Sequence, residues 1–149
     1  MRHRSRSLCA LVLVALAPAM IGADNAQGEV TAAVTKLRST KGQILACLTT
    51  NPRAFPECQR DPSARSLIVP AQEGVVLNFG HVPAGRYAIA VIHDENGNGK
   101  LDKHLMIPRE GFGFSRNAPV SFGPPSFKSA SFALEGKDHR ETIAMRYLL

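Results

Sequence analysis

The densest run of hard oxygen donors in the chain lies at residues 93–102, His-Asp-Glu-Asn-Gly-Asn-Gly-Lys-Leu-Asp. Aligned with a calcium loop, Asp94 takes position 1, Asn96 position 3, Asn98 position 5 and Gly99 position 6. The Lys100 carbonyl falls at position 7 and Asp102 at position 9. Calcium gathers several hard oxygens on a tightly curved backbone, and glycine at position 6 permits the curve. The cage is incomplete. Position 12, normally a bidentate glutamate, is Leu105, and the nearest carboxylate downstream is Glu110. Lys100 and Lys103 also lower the local negative potential, so calcium is expected to bind weakly, at about 0.1–1 mM. A second reading fits the same residues. Asn and Asp bond their own backbone and Gly accepts positive φ, which makes a self-sufficient polar turn. Ca2+ is the one cofactor the sequence suggests.

The second candidate is the stretch Pro108–Phe127, PREGFGFSRNAPVSFGPPSF. Its phenylalanines suit the lining of a ligand or peptide groove, with polar groups to orient the occupant. The candidate ligand-binding set is Arg109, Phe112, Phe114, Arg116 and Asn117. The alternative is a long loop that plugs its phenylalanines into the open end of the fold. Long irregular loops in small domains are uncommon and often functional.

Other chemistry is less well supported. His81, His93, His104 and His139 lack the fixed spacing of a zinc site. No nucleophile elbow, Walker-type loop or dinucleotide fingerprint occurs. Cys47 and Cys58 lack the Cys-x-x-Cys spacing of a redox pair. They read as one disulfide worth about 3 kcal/mol if unstrained, or as a buried Cys47 with an exposed Cys58.

The elements that must position these residues read as strands. The 149 residues suffice for one ordinary domain, with a formal charge of +6. Arg2, Arg4 and Arg6 precede an apolar run from Leu8 to about Ala19, followed by small residues. That is a secretory leader over residues 1–26, cleaved within 19–26, with Ala23 and Ala26 as candidate positions. The run is too short for a comfortable membrane span. Residues 27–149 then form a single domain without a transmembrane anchor, periplasmic or secreted. Its basic residues are scattered as singles, which excludes a nucleic-acid footprint.

Segments near 28–37 and 42–50 alternate in polarity and are expected to pair as a hairpin through Ser39–Gly42. Arg65–Ala71, Gly74–Phe79, Arg86–Asp94, Val120–Phe122, Ala130–Leu134 and Glu141–Leu149 supply further strands. Arg86–Asp94 is apolar on both faces: Tyr87, Ile89 and Val91 on one, Ala88, Ala90 and Ile92 on the other. Such a strand is central. Leu105–Pro119 is expected to be irregular. The expected fold is all-β, an immunoglobulin-like or transthyretin-like β-sandwich of about seven strands.

Four segments carry a specific resemblance: GEVTAAVTKLRSTKGQILACL, PAGRYAIAVIHDENGNGKLD, PREGFGFSRNA and FGPPSFKSASFAL. They resemble the bacterial family catalogued as domain of unknown function 2141, over nearly all of the chain after the leader. The resemblance implies a small exported protein with a transthyretin-like or prealbumin-like sandwich, and supplies no catalytic residues. Transthyretin-like enzymes that hydrolyse 5-hydroxyisourate end in Tyr-Arg-Gly-Ser, whereas this chain ends Met145-Arg146-Tyr147-Leu148-Leu149. Inheriting that activity is unwarranted.

The expected function is a non-catalytic exported binding or structural module, calcium-stabilised if the loop binds. Its partner would be an envelope protein, a peptide or a small ligand. The alternative is a cation-dependent hydrolase or small-ligand enzyme of the cell envelope, with residues 93–102 and 109–117 in one cleft. A third reading is an envelope interaction protein that docks through its Phe-rich loop or an edge strand.

Overall fold

A computed structural model describes residues 26–149. The expected leader lies outside the described residues apart from Ala26. Ten strands form: β1 (Gln27–Thr35), β2 (Gln43–Thr49), β3 (Arg65–Pro70), β4 (Val76–Pro83), β5 (Gly85–Asp94), β6 (Lys103–His104), β7 (Ile107–Pro108), β8 (Gly111–Phe114), β9 (Phe132–Leu134) and β10 (His139–Ala144). One four-residue helix, α1 (Phe127–Ala130), accompanies them. The all-β expectation holds, with ten strands in three sheets where about seven were expected.

The smaller of the two packed sheets has the order β10-β1-β4, with β10 parallel to β1. The larger runs β3-β2-β5-β8, and β9 pairs with β5 at the Gly85–Tyr87 end. β6 and β7 form a separate two-residue hairpin. The main core lies between the packed sheets. Val30, Ala32, Val34, Leu77, Phe79 and Ile143 come from the small sheet and meet Ile44, Ala46, Leu48, Ile89 and Val91 of the large one. Every second residue of β1, β2 and β5 points inward, as the pleat requires. Fully burying one such aliphatic side chain stabilises the fold by about 1.5–3 kcal/mol.

The expected β1–β2 hairpin does not form. β1 pairs with β4 and β10, whereas β2 pairs with β3 and β5. Residues 36–42 carry the chain from one sheet to the other. Alternation shows which face of a strand is buried and says nothing about its partner.

Two other expectations are corrected. Leu105–Pro119 is not irregular throughout, because β8 lies inside it and pairs with β5 from Ala90↔Phe114 to His93↔Gly111. Phe112 and Phe114 point to the outer face, and Gly111 and Gly113 point inward. A Cβ at Gly113 would stand 2.6 Å from Ile143 Cγ2, and one at Gly111 2.5 Å from Tyr147 Cε1. The Phe-Gly alternation is thus a strand whose inner face is pared to backbone so that the C-terminal segment can cross it. Phe112 and Arg146 exchange backbone hydrogen bonds at 3.1 and 2.9 Å there, which ties the two sheets together. Val120–Phe122 is not a strand but a bend. It is followed by Gly123-Pro124-Pro125, and proline offers no amide to a ladder.

The outer face of the large sheet is partly roofed. Cys47 and Cys58 form a disulfide that folds residues 50–64 over β2 and β5. Phe55, Ala118 and Ala130 pack on Ala88, Ala90 and Phe114, forming a second apolar cluster. The Ala88 and Ala90 side chains are short enough to let this layer approach. Phe55 meets Phe114 edge-on at 5.8 Å and Phe127 at 6.1 Å. The roof stops short of the Asp94 end of β5.

Candidate functional site

The uncovered part of the outer face is a groove of about 670 Å3. Its floor is Ala90, Ile92, Phe112 and Phe114. The disulfide loop supplies one wall through Pro56, Glu57, Gln59 and Arg60. The β6–β7 hairpin supplies another through Lys103, Met106, Ile107 and Pro108, and Phe122 and Pro124 a third. Gly99, Lys100 and Leu101 close one end, and Leu148 reaches in from the C-terminal segment. Met106 is 85% exposed, Phe122 109% and Leu148 54%. Large apolar side chains so exposed and so close together form a patch, which isolated surface leucines do not.

The hairpin that carries Met106 is under strain. Leu105 and Met106 have φ of 46° and 71°. Two successive positive φ values suit a tight hairpin, but such turns normally hold Asn-Gly or Asp-Gly. Neither Leu nor Met has the short polar side chain that eases the left-handed conformation. Strain of this kind gathers at functional sites.

The acidic loop behind the hairpin is satisfied internally. Asp94 is fully buried. Its Oδ1 accepts the Asn98 amide at 3.0 Å, and its Oδ2 accepts the Gly99 amide at 2.7 Å and Gln43 Nε2 at 2.8 Å. Asp102 Oδ2 accepts Asn96 Nδ2 at 2.6 Å and Asn98 Nδ2 at 2.9 Å. These amides hold the Asp102 carboxyl below the usual carboxylate range. The Asn96 and Asn98 side-chain oxygens accept the backbone amides of Asn98 and Lys100, both at 3.1 Å. Glu110 is brought to the loop. It accepts the Glu95 amide at one oxygen and the Asp102 amide at the other, each at 3.0 Å, and so fastens both ends. Among the described residues, no group of three or more His, Cys, Asp or Glu is placed to hold a metal ion.

Arg38 clamps this end of the molecule. It pairs with Glu95 at 2.5 Å and donates to the carbonyls of Arg109 at 2.9 Å and Leu149 at 2.6 Å. Its guanidinium lies 4.5 Å from the Tyr147 ring centroid. The Arg38 hydrogen bond draws the Glu95 carboxyl down, and Glu95 in turn raises the guanidinium. Burial pushes the Tyr147 phenol up. His93 is fully buried, with Nε2 2.8 Å from the Lys41 carbonyl and Nδ1 2.7 Å from the Tyr147 hydroxyl. A carbonyl only accepts, so Nε2 donates to Lys41. Both nitrogens are engaged in the fold.

The five residues proposed for ligand binding separate. Phe112 and Phe114 form the groove floor. Arg109 borders a polar hollow with Arg38, Asn96, Asp102 and Lys103. Arg116 and Asn117 lie past the far end of β8 and secure β10. The Asn117 amide donates to the Thr142 carbonyl and accepts the Ala144 amide, both at 2.9 Å, and so supplies the exposed strand with a partner. The Arg116 amide donates to Glu141 and its side chain to the Ser131 carbonyl. Residues 93–102 therefore share a boundary with 109–110 and not with 116–117. The sequence reading missed Arg60, Met106, Ile107 and Leu148. One signal pointed toward them: β5 is apolar on both faces, so its second face needs a cover.

Two packed sheets with a half-roofed outer face define an all-β domain that carries an open apolar groove. Residues 32–142 match the family model described as uncharacterized protein conserved in bacteria (DUF2141), and the chain belongs to that family. Comparison with curated proteins and with solved structures gave no match.

Proposed function

We propose that this protein is an exported, non-catalytic binding module that holds a small apolar ligand in the groove on the outer face of the large sheet. The groove itself carries the proposal. Its volume of about 670 Å3 falls in the range of small-molecule sites. Its floor is apolar, and its walls expose side chains that water solvates poorly. Its lining holds no histidine or cysteine and one carboxylate, Glu57. That chemistry suits holding a ligand better than transforming one.

The remaining parts of the reading rest on separate support. Export to the periplasm or beyond is supported by the basic-then-apolar leader and by the Cys47–Cys58 bridge. A single domain from residue 27 onward on an immunoglobulin-like or transthyretin-like scaffold is supported by the shared core of the packed sheets. Among the described residues no helix is long and apolar enough to cross a membrane. In this reading the 94–102 loop is a rigid wall. Ca2+ at Asp94, Asn96, Asn98, the Lys100 carbonyl and Asp102 would stiffen it further. The two asparagine oxygens would first have to leave their backbone partners. Calorimetric titration of metal-stripped protein tests that step directly.

Binding is tested with the neutral fluorescent probe N-phenyl-1-naphthylamine. Saturable binding is expected, weakened about tenfold or more in Met106→Glu/Phe122→Asp with an unchanged melting temperature. Both side chains are exposed, so the fold tolerates the change. Wild-type affinity in that variant would overturn the proposal, as would turnover across an ester, phosphate and glycan panel.

A further inference from the structure

The groove has an electrostatic side that an apolar ligand alone does not use. Arg60, Lys100 and Lys103 all line it, and Glu57 is the only acid that does. All three cationic residues are exposed. The two side-chain ion pairs among the described residues, Arg38–Glu95 and His139–Glu141, involve none of them. The arrangement contrasts with the adjacent loop, where the carboxylates are committed to internal donors. Lys103 also borders the polar hollow lined by Glu95, Asp102 and Glu110, so acids and groove cations are neighbours that differ in what engages them. The Glu110 carboxylate is engaged by backbone amides, that of Asp94 by two backbone amides and the Gln43 side chain, and that of Asp102 by the Asn96 and Asn98 side-chain amides, while Lys100 and Lys103 line the groove.

We infer that the groove takes a single-chain anionic amphiphile, its alkyl chain lying on Ala90, Ile92, Phe112 and Phe114 and its headgroup facing Arg60, Lys100 and Lys103. This deepens the binding proposal above and rests on it. Charge complementarity selects the headgroup. The cations come from the disulfide loop (Arg60), the 94–102 loop (Lys100) and β6 (Lys103), and together they give the groove a positive potential that favours an anion. The apolar floor selects the chain. Met106 and Phe122 also line the groove and offer exposed apolar surface to methylenes that the floor alone leaves wet. A free fatty-acid-type molecule satisfies both demands at once. A neutral hydrocarbon wastes the rim, and a small inorganic anion wastes the floor.

Affinity should then rise with chain length by up to about fourfold per buried methylene, until the chain outgrows the floor. It should fall as salt shortens the screening length from about 10 Å at 0.1 M to about 3 Å at 1 M.

The test measures binding of dodecanoate and dodecanol by displacement of N-phenyl-1-naphthylamine and by calorimetry, below the micellar concentration. Mature wild-type protein is compared with Arg60→Gln/Lys100→Gln/Lys103→Gln. Dodecanoate is expected to bind more tightly than dodecanol, and octanoate more weakly than dodecanoate. The triple variant should lose about tenfold for dodecanoate while binding dodecanol and the probe as before. If the probe binds but dodecanoate binds no better than dodecanol, the anionic assignment is overturned and the apolar groove stands. If neither probe nor amphiphile binds, both fall. Co-sedimentation with anionic phosphatidylglycerol vesicles, without saturable binding of monomeric dodecanoate, would replace the ligand site with a membrane-docking face and overturn the inference. The substituted residues are exposed, and an unchanged melting curve checks the variant's fold.

Discussion

The 94–102 loop and the β6–β7 hairpin are neighbours in the chain and opposites in their physics. In the loop, side chain and backbone agree. Each Asn sits in a turn it favours, Gly97 and Gly99 take the positive φ values of 70° and 82°, and the Asp94 and Asp102 carboxylates meet amide donors. In the hairpin, they conflict. Leu105 and Met106 occupy left-handed backbone that suits neither, and both are over 80% exposed. The loop drew attention in the sequence because its pattern is clean. Its polar groups are already spent on holding its own shape. The groups left over to act on another molecule are the apolar hairpin and the cations beside it.

The largest expected effect lies in the loop. Asp94→Ala removes the acceptor of three donors at a buried position and should destabilise the fold by about 3 kcal/mol in chemical denaturation. If the loop is self-sufficient, wild-type stability is the same in calcium and in chelator. A melting temperature that rises with calcium and loses that rise in Asp102→Ala would make the loop a cation site and break the contrast.

Gly113→Ala is expected next, at about 1–3 kcal/mol, because its Cβ would press on Ile143 and on Met145 Sδ, 3.2 Å away. A neutral result would mean that β8 and the C-terminal segment are not tightly apposed, and the groove floor would lose its backing.

The hairpin should respond in the opposite direction. Leu105→Asn/Met106→Gly supplies the residues that the turn prefers and should stabilise the protein by about 1 kcal/mol. The same change should weaken binding of N-phenyl-1-naphthylamine, since a wall is lost. Stabilisation without weaker binding would separate the strain from the site.

The smallest effect is on pH dependence. The carboxyls of Asp102 and Glu95 are both held low, by the Asn98 and Asn96 amides and by Arg38 respectively. Groups with depressed folded-state values stabilise fully above their unfolded values, about 4 for both. That contribution is lost as pH falls through the lower folded values. Melting temperatures should therefore be insensitive to these groups from pH 5 to 8 and fall below about pH 4. Asp102→Asn should soften the fall, and an unchanged acid limb would show that its amide bonds do not persist in solution.

Tyr87, Ile89 and Val91 against Ala88, Ala90 and Ile92 were legible as the two faces of a central strand, and the Cys47–Cys58 bridge as a pairing. The Phe112–Phe114 strand was not, because Gly111 and Gly113 suggested a loop. Its period of two was the available signal. Asn117 looked like a ligand handle because its job, completing the edge of β10, requires a strand 25 residues later in the chain.

By itself the sequence determined what is local: the strand faces, the turns, the family and the carboxylate loop. Alternation and turn chemistry act over a few residues, so they can be read from neighbours. The tertiary structure decided what depends on distant partners. It parted β1 from β2, brought Glu110 to the ends of the loop and sent Arg116 and Asn117 to β10. It also gathered Arg60, Lys100, Met106, Phe122 and Leu148 around one floor. Those residues span almost 90 positions of the chain, and only the packing of the two sheets places them together.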